Sequence, residues 1–332
     1  MRRRSFIVLL GTLMTLWPFA ATAERPQHVR RIGVLMTYSA PNSEARVFAQ
    51  AFLDAFQQRL QELGWIAGRN AEIDVRWAPA DSYPVSSAEL VSLSPDVLVA
   101  VNTPTIKALQ GVTRTIPIVF VTVSDPVGSG LISNLSRPEG NITGFTDFEY
   151  SMGGKWLDLL KEISPNVTHI TFIFNPDAAP FAQHYIRPAQ EAATRLSVTL
   201  STEGVPDTEM LERAIATLAS VPNGGLIVMP DVFSFYHTRR IAELAERHRV
   251  PTVYPFPFST TRGGLLAYSA DYTELFRRGA TYVDRILRGA SPADLPVEQP
   301  NKFDLSINLK TARAIGLVVP ASLLASADEV IE

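Results

Sequence analysis

The sequence predicts an α/β protein of two lobes, each a mostly parallel sheet flanked by helices, joined by a hinge of three crossings. Three observations carry this. Buried-type strands such as IVFVTV (Ile118–Val123) alternate with amphipathic helical stretches along the chain. Each apolar run ends in a short polar or proline-marked loop. The order of elements from about 31 to 123 recurs from about 169 to 254, although the residues themselves are not similar. Two tandem lobes explain a repeated strand–helix order better than one long sheet does.

Residues 1–23 read as an export signal rather than as part of the fold. Arg2-Arg3-Arg4 is a positive n-region, Phe6 to Ala20 is mostly apolar, and Ala21-Thr22-Ala23 is a small-x-small cleavage site. Arg3-Arg4-Ser5-Phe6-Ile7 also resembles a twin-arginine signal, which implies export after folding. The chain has no cysteine, so a lipid anchor on cysteine, disulfides and thiolate metal sites are all excluded. Removing the signal leaves 309 residues and takes away three arginines and no acid, so the net charge moves from −3 to −6. No basic face is evident, and nucleic-acid binding is disfavoured. A hydrophobic fraction of 46% suits a full core, and a chain of this length more often forms two domains than one.

Arg31–Thr37 (RIGVLMT) is the first buried strand, followed by Tyr38 and Ser39. Ser43 can cap a helix to about Leu63, with Val47, Phe48, Ala51, Phe52, Ala55, Phe56 and Leu60 on the 3.6-residue period and Gly64 as its stop. Ala71–Trp77 alternates as a strand, Val85–Leu93 suits a short helix, and Asp96–Val101 is a third strand. It ends at Asn102-Thr103-Pro104, where Thr103 can cap and Pro104 can take the first helical position. After a helix closing before Gly111 comes strand 117–123, which stops at Ser124-Asp125-Pro126 before a glycine-punctuated loop. A parallel strand ending in such a loop is where open α/β sheets place ligands.

The second half predicts strand His169–Phe174 ended by Asn175-Pro176, helix Phe181–Leu196, strand Ser197–Thr202, and a helix capped by Asp207. Strand Gly225–Met229 ends at Pro230-Asp231, helix Phe235–Arg249 follows, and strand Pro251–Tyr254 ends at Pro255-Phe256-Pro257. Asn141–Phe145 reads as a second extended piece, Leu265–Tyr268 as a return crossing and Tyr272–Arg288 as a helix, while Lys302–Asn308 alternates as a strand and is taken as a third crossing. The expected division is lobe 1 at 28–141 plus 272–297 and lobe 2 at 147–264 plus 309–332. The hinge crossings fall near 142–146, 265–271 and 298–308.

The chain resembles the bacterial solute-binding proteins of tryptophan/tyrosine-type ABC importers from its signal to Glu332. The resemblance rests on Ile118-Val119-Phe120 leading to Asp125-Pro126-Val127-Gly128, then Leu135-Ser136-Arg137-Pro138 and Gly140-Asn141-Ile142-Thr143-Gly144. Asn175-Pro176, Pro230-Asp231, Arg239-Arg240-Ile241-Ala242, Gly263-Gly264-Leu265, Tyr268, Leu295–Pro300 and Ile307–Ala312 fit as well. It implies a periplasmic-binding-protein-like fold of type I, one small ligand in the cleft, a membrane permease as partner, and no cofactor. The chain departs from the family at Pro138-Glu139-Gly140, where Pro-Gly-Gly is usual, and at Asn102-Thr103-Pro104, where Gly-Thr-Pro is common.

An amino acid in such a cleft needs N–H groups and hydroxyls for its carboxylate, a carboxylate or carbonyl for its ammonium, and aromatic faces for its side chain. The candidates are Asn102, Thr103, Thr122 and Ser124 for the first and Asp231 for the second. Tyr38, Tyr254, Phe256 and Tyr268 are candidates for the third, with Ser39, Asp125 and Asn175 beside them at strand ends. Asp231 can equally be a helix cap, Asp125 a turn residue, and the aromatics part of the core. No complete GxGxxG, Walker A, HExxH or GxSxG string is present, and His28, His169, His184, His237 and His248 show no metal spacing. The expectation is therefore a monomeric, non-catalytic, unanchored periplasmic protein that captures a small solute, with an amino acid, aromatic or branched, as the expected ligand. A sensor docking on a membrane receptor uses the same fold, and an α/β enzyme is the third alternative.

Overall fold

A computed structural model of the protein describes residues 29–37 and 44–332, with side chains from 46 onward in the second stretch. The export segment, Tyr38 and Ser39 lie outside the described residues. Strand β1 (Arg30–Thr37) is flanked on both edges, by β2 (Ala71–Ala78) and β3 (Val97–Val101), with Ile32 opposite both Ile73 and Val97. This explains why Ile32–Met36 carry almost no polar residue. With β4 (Ile118–Val123) and β5 (Ile142–Thr146) the order is β2-β1-β3-β4-β5, all parallel. Helices α1 (Glu44–Glu62), α2 (Tyr83–Ser92) and α3 (Thr103–Val112) follow β1, β2 and β3.

The period of two in the strands divides the first core between two faces. Ile32, Val34, Met36, Val97, Val99, Val119 and Val121 join Leu53, Phe56 and Leu60 of α1. Leu35, Leu98, Ala100, Ile118 and Phe120 instead join Tyr83 and Leu90 of α2 and Ile106 and Leu109 of α3. The first face is completed by α8 (Tyr272–Leu287), which lies far along the chain but packs on α1 and β4. Its Leu275, Phe276, Ala280 and Val283 are buried there, each large apolar side chain contributing about 1.5–3 kcal/mol. Gly279 permits this approach, since a Cβ on it would stand 3.0 Å from Val121 Cγ2.

The second sheet has the order β12-β11-β10-β9-β8-β6-β7. Its strands are β6 (His169–Phe174), β7 (Thr199–Gly204), β8 (Gly224–Val228), β9 (Thr252–Tyr254), β10 (Leu266–Ala270), β11 (Phe303–Asn308) and β12 (Glu329–Ile331). All pairs are parallel except β10 with β11. Helices α4 (Met152–Ile163) and α5 (Ala182–Leu196) cover one face, and α6 (Thr208–Ala219) and α7 (Val232–Arg247) the other. Short helices α9 (Leu309–Ala314) and α10 (Ala321–Ser326) precede the edge strand β12. Gly153 sets the α4–α5 distance, because a Cβ there would meet the Tyr185 carbonyl oxygen at 2.0 Å.

The three segments taken as crossings belong to the sheets, Phe303–Asn308 as the strand its alternation predicts. Ile142–Thr146 is the edge strand of the first sheet, and Leu266–Ala270 and Phe303–Asn308 are interior to the second. The chain passes between the sheets just after each of the first two, at 147–151 and at Asp271, and again between Glu298 and Phe303. Glu298 still bonds β5, donating from its N to the Gly144 carbonyl and accepting from the Thr146 N at 3.1 and 3.0 Å. Helix α7 begins three residues earlier than Phe235, at Val232, because Asp231 caps it.

Candidate functional site

The carboxyl ends of the first sheet form a polar row that follows the strand order. Thr37 closes β1, Asn102 follows β3, Ser124 follows β4 and Asp147 follows β5. Asn102 is the N-cap of α3, accepting from Thr105 N at 3.3 Å, while its Nδ2 donates to Thr37 Oγ1 at 2.5 Å. Its backbone sits at φ 71°, ψ 164°, a region open almost only to glycine and costing other residues about 1–3 kcal/mol. Glu139, the other departure from a family glycine, also has positive φ, 57°. Thr103 opens α3 half-buried, and since Pro104 has no N–H and the Thr105 N–H is taken by Asn102, the Thr103 N–H is the one left over in the first turn. Thr122 is buried at φ 61°, where the β4–β5 register slips between Phe120 and Val123. For a β-branched residue this is an outlier, and it re-aims the end of β4.

Asp125 and Ser124 reach the other lobe. The Asp125 carboxylate is buried, accepts from Gly128 N at 2.7 Å, and pairs through Oδ2 with His184 Nδ1 of α5 at 3.2 Å. Gly128 must lack a Cβ, which would fall 2.0 Å from that carboxylate. The Tyr185 hydroxyl donates to the Ser124 carbonyl at 3.2 Å. Tyr150 stands edge-on to His184, and burial together with Asp125 drives its hydroxyl pKa up.

An aromatic cluster makes a second contact between the lobes. Phe256 and Phe258 are stacked at 5.5 Å, and Phe235 of α7 meets them edge-on at 5.3 and 4.9 Å. Phe48 of α1 comes from the first lobe to 5.6 Å from Phe258. The Arg262 guanidinium lies 4.1 Å over the same ring. Tyr236 faces Tyr83 of the first lobe, and burial, with Tyr83 second, raises its pKa. The Tyr83 hydroxyl in turn donates to Thr37 Oγ1 at 3.5 Å.

Of the aromatic candidates, Phe256 joins this cluster. Tyr254 is buried in the core beneath α6 and α7, and Tyr268 stacks on Phe303 at 5.6 Å with Lys155 above it. Neither tyrosine is brought to the aromatic cluster. Asn175 is consumed by its turn: its Oδ1 accepts from Asp177 N and Ala178 N, and its Nδ2 donates to Pro206 O. Asp231 occupies the cap alternative. Its Oδ1 accepts from Ser234 N at 2.7 Å, and its Oδ2 from Asn175 N at 3.0 Å and Ser234 Oγ at 3.2 Å.

Asp147, Phe48, Tyr83, Phe235, Tyr236 and Phe258 are the groups that sequence reasoning passed over. Asp147 follows a strand that looked like a bare crossing, and Phe48 and Phe235 carry helical periodicity that reads as core. Burial raises the Asp147 pKa to about 7, partly offset by bonds from Ser124 and Tyr272. The folded protein therefore holds a proton that the unfolded chain releases near an ordinary aspartate's pKa. Stability falls as pH rises from about 4 to about 7 and levels off above. Urea midpoints across that range should show this component in the wild type and lose it in Asp147→Asn; parallel profiles would refute it.

Two α/β lobes touch where the loop after β4 meets α5 and where α1 meets the turn after β9, with strand carboxyl ends at both contacts. The sequence model of the ABC transporter substrate binding proteins matches residues 48–331, and the chain belongs to that family. Its fold is the periplasmic-binding-protein-like one, and its function is solute capture. A tyrosine-binding protein from Clostridioides difficile is 27% identical over 272 residues, 79% of this chain and 75% of that one. A conserved domain protein from Vibrio cholerae superposes with TM-score 0.80 at 28% identity, covering 91% of this chain and 99% of that one. The ABC domain from Streptococcus pneumonia in complex with L-Trp also gives TM-score 0.80, at 24% identity with the same coverage. Members of the family typically work outside the cytoplasm beside a permease. Among the described residues, no helix is long and apolar enough to cross a membrane.

Proposed function

We propose that the protein is the periplasmic solute-binding component of an ABC importer and that its solute is an α-amino acid with an aromatic or branched side chain. The observation that carries this is a polar strand-end row in the first lobe together with a phenyl cluster that Phe235, Phe256 and Phe258 of the second lobe share with Phe48 of the first. Asn102, Thr103, Thr122 and Ser124, with the Thr103 N–H that opens α3, face the carboxylate. Phe48, Phe235, Phe256 and Phe258 cover the side chain. The similarity to a tyrosine-binding protein supports the same ligand class. The first lobe is β1–β5 with α1–α3 and α8, the second is β6–β12 with α4–α7, α9 and α10, and they hinge at the three passages. Residues 1–23 direct export and are removed, and the absence of cysteine leaves the mature protein without a lipid anchor. It acts as a monomer, without cofactor or catalysis, and delivers its ligand to the permease.

A ligand favours closure only by binding the closed form better, and contact with both lobes supplies that difference. A thermal-shift screen of the mature protein against the common amino acids and their carboxylate analogues tests the reading. A ligand at 100 times its dissociation constant adds about 2.7 kcal/mol to stability, so an aromatic or branched amino acid should raise the melting temperature clearly. Stabilisation by sugars or purely apolar solutes, and by no amino acid, would overturn it.

A further inference from the structure

We propose that Asp147 is the carboxylate that receives the ammonium group of the captured amino acid. This rests on the amino-acid reading above and replaces Asp231 in that role. Asp147 ends the polar row, next to Ser124 along the carboxyl edge of the first sheet. It also opens the first passage between the lobes, so a group bound to it is held where closure acts. Its side chain is buried, at 5% exposure. One oxygen, Oδ2, accepts from the Tyr272 hydroxyl at 3.3 Å, and the nearby Ser124 side chain favours the charged carboxylate. The other, Oδ1, is fully buried and has no hydrogen-bond partner among the described residues.

Burying a carboxylate without a cation is costly, and such a group stays neutral until one arrives. The ionisable groups facing Asp147 are Tyr272 of α8 and Tyr185 of α5, with Tyr150, Asp125 and its partner His184 beyond Tyr185. Among the described residues, no lysine or arginine contributes to its pKa shift. An ammonium supplies both the missing charge and a donor for Oδ1. The rival carboxylates are already engaged. Asp231 accepts three hydrogen bonds within its own lobe, and both Asp125 oxygens are taken by Gly128 N and His184.

Because burial holds the carboxyl pKa at about 7, an arriving ammonium must displace a proton below that pH. Affinity for an amino acid should therefore rise with pH up to about 7 and then level off. Calorimetry with L-tryptophan, L-tyrosine and L-leucine, and with their deaminated analogues, at about pH 6 and about pH 8 in two buffers of different ionisation enthalpy, tests this. In the wild type, the amino acid that binds should release a proton at the lower pH and bind several-fold more weakly there. Asp147→Asn, nearly isosteric, should lose roughly 30-fold or more in affinity for that amino acid, lose the pH dependence, and bind the deaminated analogue within about threefold of wild type. If the variant keeps amino-acid affinity within about threefold, or the wild type releases no proton, Asp147 is not the partner while the amino-acid reading stands. If the wild type binds none of the amino acids, the reading itself fails and takes this assignment with it. The proton-release measurement needs no variant, so a misfolded Asp147→Asn still leaves a decisive result.

Discussion

Replacing Trp156 with alanine is expected to lower the unfolding free energy of the second lobe by about 3–5 kcal/mol. Trp156 is fully buried near the centre of α4, and its ring stacks on Tyr185 of α5 at 5.9 Å and meets Phe148 edge-on at 5.8 Å. Its Nε1 donates to the Tyr268 carbonyl at 2.9 Å, tying the helix to β10. The alanine variant therefore loses the transfer energy of the largest buried ring and opens a cavity. It also leaves a carbonyl without its donor, and these costs fall on the same site. Collapse around the cavity is limited, because Gly153 already brings α4 as close to the Tyr185 backbone as it can come. Urea denaturation of the ligand-free proteins measures the difference. A loss below about 1 kcal/mol would show that the α4–α5 layer repacks freely and that this account of its rigidity is wrong.

Most of the helices and buried strands were legible because their signals are local. The 3.6-residue spacing of Leu53, Phe56 and Leu60 and the unbroken run Ile118–Val123 need no partner to be read. Sheet membership is not local. Ile142–Thr146, Leu266–Ala270 and Phe303–Asn308 are short segments beside chain passages; the alternation of the last marks it as a strand, but only hydrogen-bonded neighbours show which sheet each belongs to. That misreading hid Asp147, which becomes a site candidate once β5 is known to end at it. Candidates at strand ends divided by what else claims them. Asn175, Asp231 and Asn102 each serve a backbone N–H in their own lobe, whereas the Ser124 carbonyl is bonded from the other lobe by Tyr185. The aromatics divided in the same way. Tyr254 and Tyr268 end or lie within strands but point into covered layers. Phe235 and Phe258 belong to a helix and a 3-10 turn that project across the gap. The two departures from family glycines were visible as residues, but their meaning is conformational: Asn102 and Glu139 hold positive φ, which no single sequence displays.

Replacing Asp231 with alanine is expected to cost about 2–4 kcal/mol of stability and to leave solute affinity within about twofold of wild type. An ordinary N-cap contributes about 1 kcal/mol. Asp231 does more, because its carboxylate also holds Asn175 N, which belongs to the turn after β6 rather than to α7. That single side chain therefore fastens two neighbouring strand ends of the second sheet. Its removal strands two buried N–H donors and the Ser234 hydroxyl, where water has little access, since Asp231 is 5% exposed and Ser234 is fully buried. Each buried orphan donor costs about 1–3 kcal/mol, and partial relaxation of the exposed side of the turn keeps the sum below the simple total. Burial raises the Asp231 pKa, while the N–H bonds from Ser234 and Asn175 oppose that shift and favour the ionised form. An asparagine offers one acceptor oxygen but presents its amide N–H₂ to a second donor, so Asp231→Asn should fall between wild type and alanine. Urea unfolding and calorimetric titration of the same variants separate the two roles of this residue. Loss of stability with affinity intact identifies the clamp. A loss of amino-acid affinity by roughly 30-fold or more, with stability intact, would instead place the ligand's ammonium on Asp231 and move the site into the second lobe.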